Sequence, residues 1–393
     1  MRNPVDTVEE FWTFDLISQM QSVATENSID SFKRDFGTFL GVSKERVHFM
    51  PSGHQGLEVL LRSKCNQGNI VMLPAFNCQV VQDAVIAAGL KSTFYDFSSQ
   101  PGVFNWELVM SQMNSDVGVI VVTHYFGVPI DFEPILDHCR RKDILVIEDC
   151  AHTLGGALNG SQVGTIGDAS IYSFNYDKPI SLGWGGVAVI NNEDGFNDLK
   201  TDIFRVPKLT EEYNLLNEFN DYLHKRRRMI PNENKFVTKL LKKFRLLSPN
   251  LFRKNKDISI GAIQAELGRW CILKYPKVLR QRNSNAKKLA DLLNFQTWEI
   301  GINIKAAWVK QKVCIPDEKL RGYVSQLLQM SGIRAGNFNW PELLQGADQD
   351  SFPLSAELSN TWIDVPIHQN INSEILNEII TTLSKNNQKN AQI

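Results

Sequence analysis

Between about residue 50 and residue 192 the chain alternates short apolar runs with longer amphipathic ones. Ile70-Val71-Met72-Leu73-Pro74 predicts a buried strand, followed by a helix from about Val80 to Ala88 that Gly89 stops. Ser92-Thr93-Phe94-Tyr95-Asp96 predicts the next strand. Val117 to Val122 is one apolar run, interrupted only by Gly118, that ends in Thr123-His124. Phe132 to Arg140 predicts a helix, with Pro134 tolerated in its first turn, and feeds a strand over Ile144–Ile147. Apolar strands joined by helices indicate a mainly parallel sheet covered on both faces. Ligands on such sheets sit at the C-terminal ends of the strands. The polar residues expected there are Asn77, Thr123, His124, Asp149 and Ser173.

The pattern changes after residue 205. Between Lys225 and Lys256 there are twelve Lys or Arg against one acid, Glu233. Phe236, Leu240, Leu241, Phe244 and Leu247 recur within it at helical spacing, which predicts a basic amphipathic helix. Such a helix is most simply a solvated or subunit-packing face. It also suits a diphosphate clamp or contact with an anionic membrane surface. From Ser259 a helix is expected, with Ile263, Leu267 and Trp270 on one face and a kink or break near Pro276. Short strands around Ala306–Val309 and Val313–Ile315, helices over about 317–330 and 373–384, and a frayed end from Asn386 complete the chain. The expected organisation is a large domain over 1–205, a basic helical connector over 206–257 and a small domain over 258–393.

With 393 residues the chain is long enough for two cores, and 43% hydrophobic with 22% charged residues is ordinary for a globular protein. A formal net charge of −1 gives no reason to expect nucleic acid. The six cysteines (65, 78, 139, 150, 271, 314) form no CxxC pair, which argues against zinc or a disulfide framework. Acids appear early in the N-terminal segment and no apolar stretch reaches the ~18–20 residues of a membrane span, so a cytoplasmic protein is expected.

One pair of motifs points to specific chemistry. The run Ile144–Ile147 ends in Glu148-Asp149-Cys150-Ala151-His152, and Ser173-Phe174-Asn175-Tyr176-Asp177-Lys178 precedes the turn Gly183-Trp184-Gly185-Gly186. A strand-end carboxylate followed by a lysine at the end of a later strand is what pyridoxal phosphate (PLP) needs. Asp149 would hold a proton on the pyridine nitrogen, and Lys178 would form a Schiff base with the aldehyde. Alone, each has a plainer reading, a helix-capping Asp or a solvated turn Lys; together they reverse that judgement. Gly53, His54 and Gln55 form a turn that opens a helix, where exposed amides and the helix dipole attract a phosphate.

In order along the chain, these residues resemble the DegT/DnrJ/EryC1/StrS family of PLP-dependent sugar aminotransferases. Ser52-Gly53-His54-Gln55-Gly56-Leu57 looks like that family's SGTxAL phosphate turn. Leu73 to Cys78 with Ala84 to Gly89, Thr123 to Pro129 with Asp131, Ile263-Gln264-Ala265 and Asp364 to His368 look like four further blocks. The resemblance implies an α/β, fold-type-I PLP transferase: a large domain around a mainly parallel seven-stranded sheet and a smaller C-terminal α+β domain. It implies that Ser173 also grips the phosphate and that His152 lies beside the ring's phenolic oxygen. Cys78 stands where many relatives stack an aromatic on the ring. His124 and Tyr125 are expected just behind the site.

The implied reaction moves an amino group, with glutamate as the expected donor, to a nucleotide-linked keto sugar for polysaccharide or amino-sugar synthesis. The implied assembly is a homodimer that shares its active site. Trp184 replaces an acid of the family's Gly-rich turn, Asp257-Ile258-Ser259 replaces its NYR-like segment, and no GP-type substrate loop is evident before residue 30. Two alternatives remain: a PLP-dependent sugar dehydratase and a non-catalytic binding or regulatory protein on the same fold. Relatives that dehydrate sugars carry His in place of the lysine, so Lys178 argues against the first.

Overall fold

The computed structural model describes residues 4–64, 66, 68–197, 199–201, 203–229, 257–293, 295–298, 300–337, 340 and 342–390. The expected helix over 236–247 lies outside them. Two helices, α1 (Phe14–Val23) and α2 (Ser28–Leu40), lead into β1 (Val47–Met50) and α3 (Gly53–Ser63). Then β2 (Ile70–Pro74), α4 (Gln79–Ala87), β3 (Lys91–Tyr95), α5 (Trp106–Ser111), β4 (Val117–Thr123), α6 (Glu133–Arg141) and β5 (Leu145–Asp149) alternate. Two-residue strands β6 (Ala157–Leu158) and β7 (Ser161–Gln162) precede β8 (Ala169–Ser173) and β9 (Gly186–Ile190). After α7 (Leu209–Met229) come α8 (Ala262–Leu292), β10 (Ile304–Lys305), β11 (Gln311–Cys314) and α9 (Glu318–Met330). The described chain closes with α10 (Pro353–Thr361), β12 (Trp362–Val365) and α11 (Ser373–Asn390).

The main sheet has seven strands in the order β1-β9-β8-β5-β4-β2-β3. The pairs β3–β2, β2–β4, β4–β5 and β5–β8 are parallel, and β9 runs antiparallel between β8 and β1. All seven residues of β4 are buried, as expected of a central strand covered on both faces. Its side chains alternate between two cores. Val119 and Val121 join Leu57, Leu60 and Val85 on one side, while Ile120 and Val122 join Phe76, Phe126 and Trp362 on the other. The parallel register brings the ends of β4, β5 and β8 to one edge of the sheet.

Of the kink or break expected near Pro276 there is no break: helix α8 runs continuously over 31 residues through it. Its buried residues Ile263, Leu267, Cys271, Tyr275 and Val278 fall on one face, so tertiary packing outweighs the hydrogen bond that Pro276 cannot donate. Gly268 lets this helix approach α2 closely. A Cβ there would lie 2.3 Å from the fully buried Phe32 ring, itself stacked on Phe49 at 4.9 Å. Residues 306–309 form no strand: the paired stretches are β10, and β11 against β12. Among the described residues no helix is long and apolar enough to cross a membrane.

Candidate active site

The adjacent acids at the end of β5 go to opposite faces of the strand. Glu148 points into the protein, where its carboxylate accepts from the backbone N–H of Gly164 (2.6 Å), Ile166 (2.8 Å) and Gly167 (2.8 Å). His124 completes this set. Its Nδ1 accepts from Ile130 N, so its Nε2 carries the proton and donates to Glu148 at 3.1 Å. Cys150 lies close enough that the three could be mistaken for a metal cluster, with ligand atoms within 4.8 Å of one another. The donors already on Glu148 account for the grouping without an ion. Glu148 is therefore scaffold behind the strand ends, and it holds His124, which also borders the cavity.

Asp149 faces the other way, into a cavity of about 710 Å³. One of its oxygens accepts from Ala151 N at 3.0 Å, which fixes the carboxylate. Burial raises its pKa; the Ala151 amide and then the charge of Lys178 oppose that rise. A buried carboxylate of this kind is ready for a cationic partner.

Lys178 reaches the same cavity from the segment after β8. Its backbone N–H bonds to Asn175 O at 3.2 Å, closing a turn, and Arg282 donates to the following carbonyl, Pro179 O, at 3.2 Å. The Nζ lies 2.8 Å from His152 Nε2 and 3.6 Å from Asp177. His152 stacks on Trp340 at 5.4 Å with the rings 6° from parallel. Burial, then the charges of Lys178, Lys310 and Lys312, push its pKa well below the ordinary value. The imidazole is therefore neutral, and Nε2 accepts from the lysine.

All eight residues singled out in the sequence (Gly53, His54, Gln55, Cys78, Asp149, His152, Ser173 and Lys178) line this one cavity. Helix α3 begins at its wall. Ser52 caps the helix, its Oγ accepting from Gln55 N at 3.1 Å and donating to Gln55 Oε1 at 2.9 Å. Gly53 fits where a Cβ would press on Tyr172 O and Ser173 Cβ, both at 3.2 Å. The Nδ1 of His54 donates to Val80 O at 2.7 Å, which ties the ring to another residue of the same cavity wall. Cys78 precedes α4, and burial raises its thiol's pKa despite nearby Lys178, which keeps it a neutral packing group. Tyr125 is fully buried, with its hydroxyl on Phe76 O.

Trp340, Leu215 and Tyr176 also line the cavity, and their place there was not legible in the sequence. Trp340 comes from a loop far along the chain, and Leu215 comes from α7. Tyr176 stood in a recognised motif, but its neighbours did not show there: Arg226 lies over its ring at 4.9 Å and pairs with buried Asp6 at 2.7 Å. Arg226 is the second cation of the basic stretch, so at least this one packs inward.

The cavity brings a buried strand-end carboxylate, a lysine and a helix N-terminus together at the edge of a mainly parallel sheet. A model of the DegT/DnrJ/EryC1/StrS aminotransferase family matches residues 6–384. The chain belongs to the DegT/DnrJ/EryC1/StrS aminotransferase family. GDP-perosamine synthase from Vibrio cholerae is 29% identical over 166 residues, 42% of this chain and 45% of that protein. The dTDP-4-dehydro-2,3,6-trideoxy-D-glucose 4-aminotransferase of Saccharopolyspora spinosa is 29% identical over 160 residues, 40% of this chain and 41% of that protein. The matches thus span less than half of these curated relatives. The crystal structure of the aminotransferase TlmJ from Streptoalloteichus hindustanus superposes with a TM-score of 0.73 at 19% identity, covering 98% of this chain and 100% of that one. A sugar aminotransferase from Micromonospora echinospora gives 0.71 at 16% identity, covering 96% and 99%.

These likenesses establish the fold-type-I architecture, and aminotransferases of the DegT/DnrJ/EryC1/StrS family use PLP. Against the family pattern, Trp184 lies in the cavity wall with its Nε1 donating to Ser259 O at 3.3 Å. Asp257 sits outside, 3.4 Å from Arg205.

Proposed function

We propose that this chain is a PLP-dependent aminotransferase that moves an amino group to a nucleotide-linked keto sugar, with glutamate as donor. One observation carries the reading: Asp149 and Lys178 open into the same cavity from neighbouring strand ends. The relatives' names, which include aminotransferases of dTDP- and UDP-linked sugars, supply the substrate class.

The residues fit the cofactor. Asp149 is a buried carboxylate whose pKa burial raises, and a protonated pyridine nitrogen would give it the cationic partner it lacks. The first turn of α3, approached closely at Gly53, and the Ser173 hydroxyl would hold the phosphate. Cys78 would pack on one face of the ring. When bound, PLP supplies an electron sink for the carbanion left by proton loss.

The chain's own work is positioning and proton transfer. Lys178 would anchor the cofactor, be displaced by the donor's amine, then take the donor's α-proton on Nζ. On the return half it would deliver a proton to the sugar carbon. The neutral His152, bonded to Nζ at 2.8 Å, would orient the amine without competing for positive charge.

Within this reading the enzyme is a homodimer whose partner completes the wall near Trp184 and Ser259, and it works in the cytoplasm. The described cysteines are all free thiols, which suits a reducing compartment. We take the large, connector and small units of the chain as 1–205, 206–257 and 258–393. The test is incubation with glutamate and a panel of nucleotide-linked keto sugars, read by mass. An amino product supports the proposal; loss of water, or no product with any sugar, opposes it.

A further inference from the structure

Behind the cavity lies a charge cluster that the proposed reaction does not use. Lys310 immediately precedes β11 and Lys312 is its second residue, and both amines reach the same carboxylate. Both are buried, at 1% and 0% side-chain exposure. Strand pairing sets Lys312 opposite Asp364 of β12. That one carboxylate serves both amines, at 3.1 Å from Lys312 and 3.6 Å from Lys310. Neither Asp364 oxygen nor Lys312 Nζ makes a geometrically sound hydrogen bond among the described residues, so the contacts are mainly coulombic. With all three ionised, the cluster carries one uncompensated positive charge.

Isolated buried charge is costly, and two buried lysines on one carboxylate need a reason. Their surroundings supply one. The two ammonium groups lie 4.8 Å (Lys312) and 5.3 Å (Lys310) from the centroid of Phe126. Phe126 lies 5.8 Å from His152. His152 in turn bonds Lys178 through Nε2, while its buried Nδ1 has no hydrogen-bond partner among the described residues. A second proton on this imidazole would go to Nε2 and face the Lys178 amine at 2.8 Å. The charged groups around it are the cations Lys178, Lys310 and Lys312, with Asp149 and Asp177 in the cavity and Asp364 between the rear lysines.

We propose that Lys310 and Lys312, sharing Asp364 behind the Phe126 ring, are positioning residues that keep His152 an uncharged acceptor for the amine of Lys178. Burial, partly offset by Asp364, lowers the Lys310 amine to about 8, so it remains mostly charged at neutral pH. In a poorly solvated wall a cation several ångströms away still acts strongly. The inference rests on the reading of Lys178 and His152 as working residues.

The test is the imidazole ¹⁵N spectrum of the full-length holoprotein, with His152 assigned by its loss in His152→Gln. The wild-type signal should show no charging near the ordinary histidine value of about 6.5. Lys310→Met leaves the Lys312–Asp364 pair at 3.1 Å intact and should raise the His152 midpoint by about one unit, a tenfold change in proton affinity. Lys310→Arg should restore the wild-type behaviour. A wild-type His152 that charges near the ordinary histidine value overturns the proposal whatever the variants do. So does a midpoint unmoved in a folded Lys310→Met chain. If Lys310→Met does not fold, Lys310→Arg still decides: a retained cation must leave His152 neutral. A chain that traps cofactor on Lys178 but has an ordinary His152 sinks this inference alone. A chain with a shifted His152 and no cofactor on Lys178 sinks the proposed function and leaves the electrostatic device standing.

Discussion

Glu148 and Asp149 are neighbours in sequence and opposites in environment. Glu148 accepts three backbone N–H bonds and one from His124, whereas Asp149 accepts only Ala151 N among the hydrogen bonds described and faces the cavity. Glu148→Gln would aim an amide NH₂ at donors that now find an acceptor. The cost should be about 3 kcal/mol, since each orphaned buried donor loses on the order of 1–3 kcal/mol. A clear fall in melting temperature without a direct effect on cofactor contacts is the expected result.

Asp149→Asn should behave the other way. The folded pKa of Asp149 is raised, so its ionised form works against folding above that pKa, and the stability present with the protonated form is lost as pH rises. The cofactor-free Asn variant should melt at or above the wild-type temperature at neutral pH. Its turnover should fall by a hundredfold or more, on the order of what removing one preorganised electrostatic group costs. Thermal melts beside steady-state rates separate the two effects.

His48 and His152 both have pKa values depressed first by burial, His48 to about 4. A depressed histidine binds fewer protons folded than unfolded, so stability is lost as pH falls below the unfolded value of about 6.5. Each such group adds a slope of up to about 1.4 kcal/mol per pH unit in that window. Urea unfolding at a series of pH values should show stability declining from about pH 6.5 towards 4. His48→Gln should shallow the slope by about one proton's worth.

Gly268→Ala tests the packing of α8 on α2. The added methyl would fall 2.3 Å from the buried Phe32 ring, which cannot move without disturbing Phe36 and Phe49. Overpacking of this kind costs about 1–3 kcal/mol, far more than the helix propensity alanine gains. An unchanged denaturation midpoint would contradict the packing described for this helix pair.

Much of the parallel sheet could be read from sequence because its strands are continuous apolar runs with polar tips. The run Val117–Val122 pointed to a buried strand, and Asp149 and Ser173 were expected at one sheet edge. Elements set by tertiary context were less legible. Nothing in residues 186–190 tells that β9 runs antiparallel to its neighbours. Pro276 promised a kink or a break, yet packing keeps the helix continuous, and 306–309 is apolar because it is buried in a loop. Trp340 and the Lys310–Asp364–Lys312 cluster left no local pattern, since their meaning comes from what they meet in space. The His54 ring also depended on the fold: only the structure shows it turned to Val80 O.

The most direct test of the central claim is borohydride reduction of the purified protein, followed by peptide mass mapping. The account predicts a reduced cofactor adduct on the peptide that carries Lys178, present in wild type and absent from Lys178→Ala. An adduct that persists in Lys178→Ala, or a wild-type protein that takes up no added PLP, would contradict it.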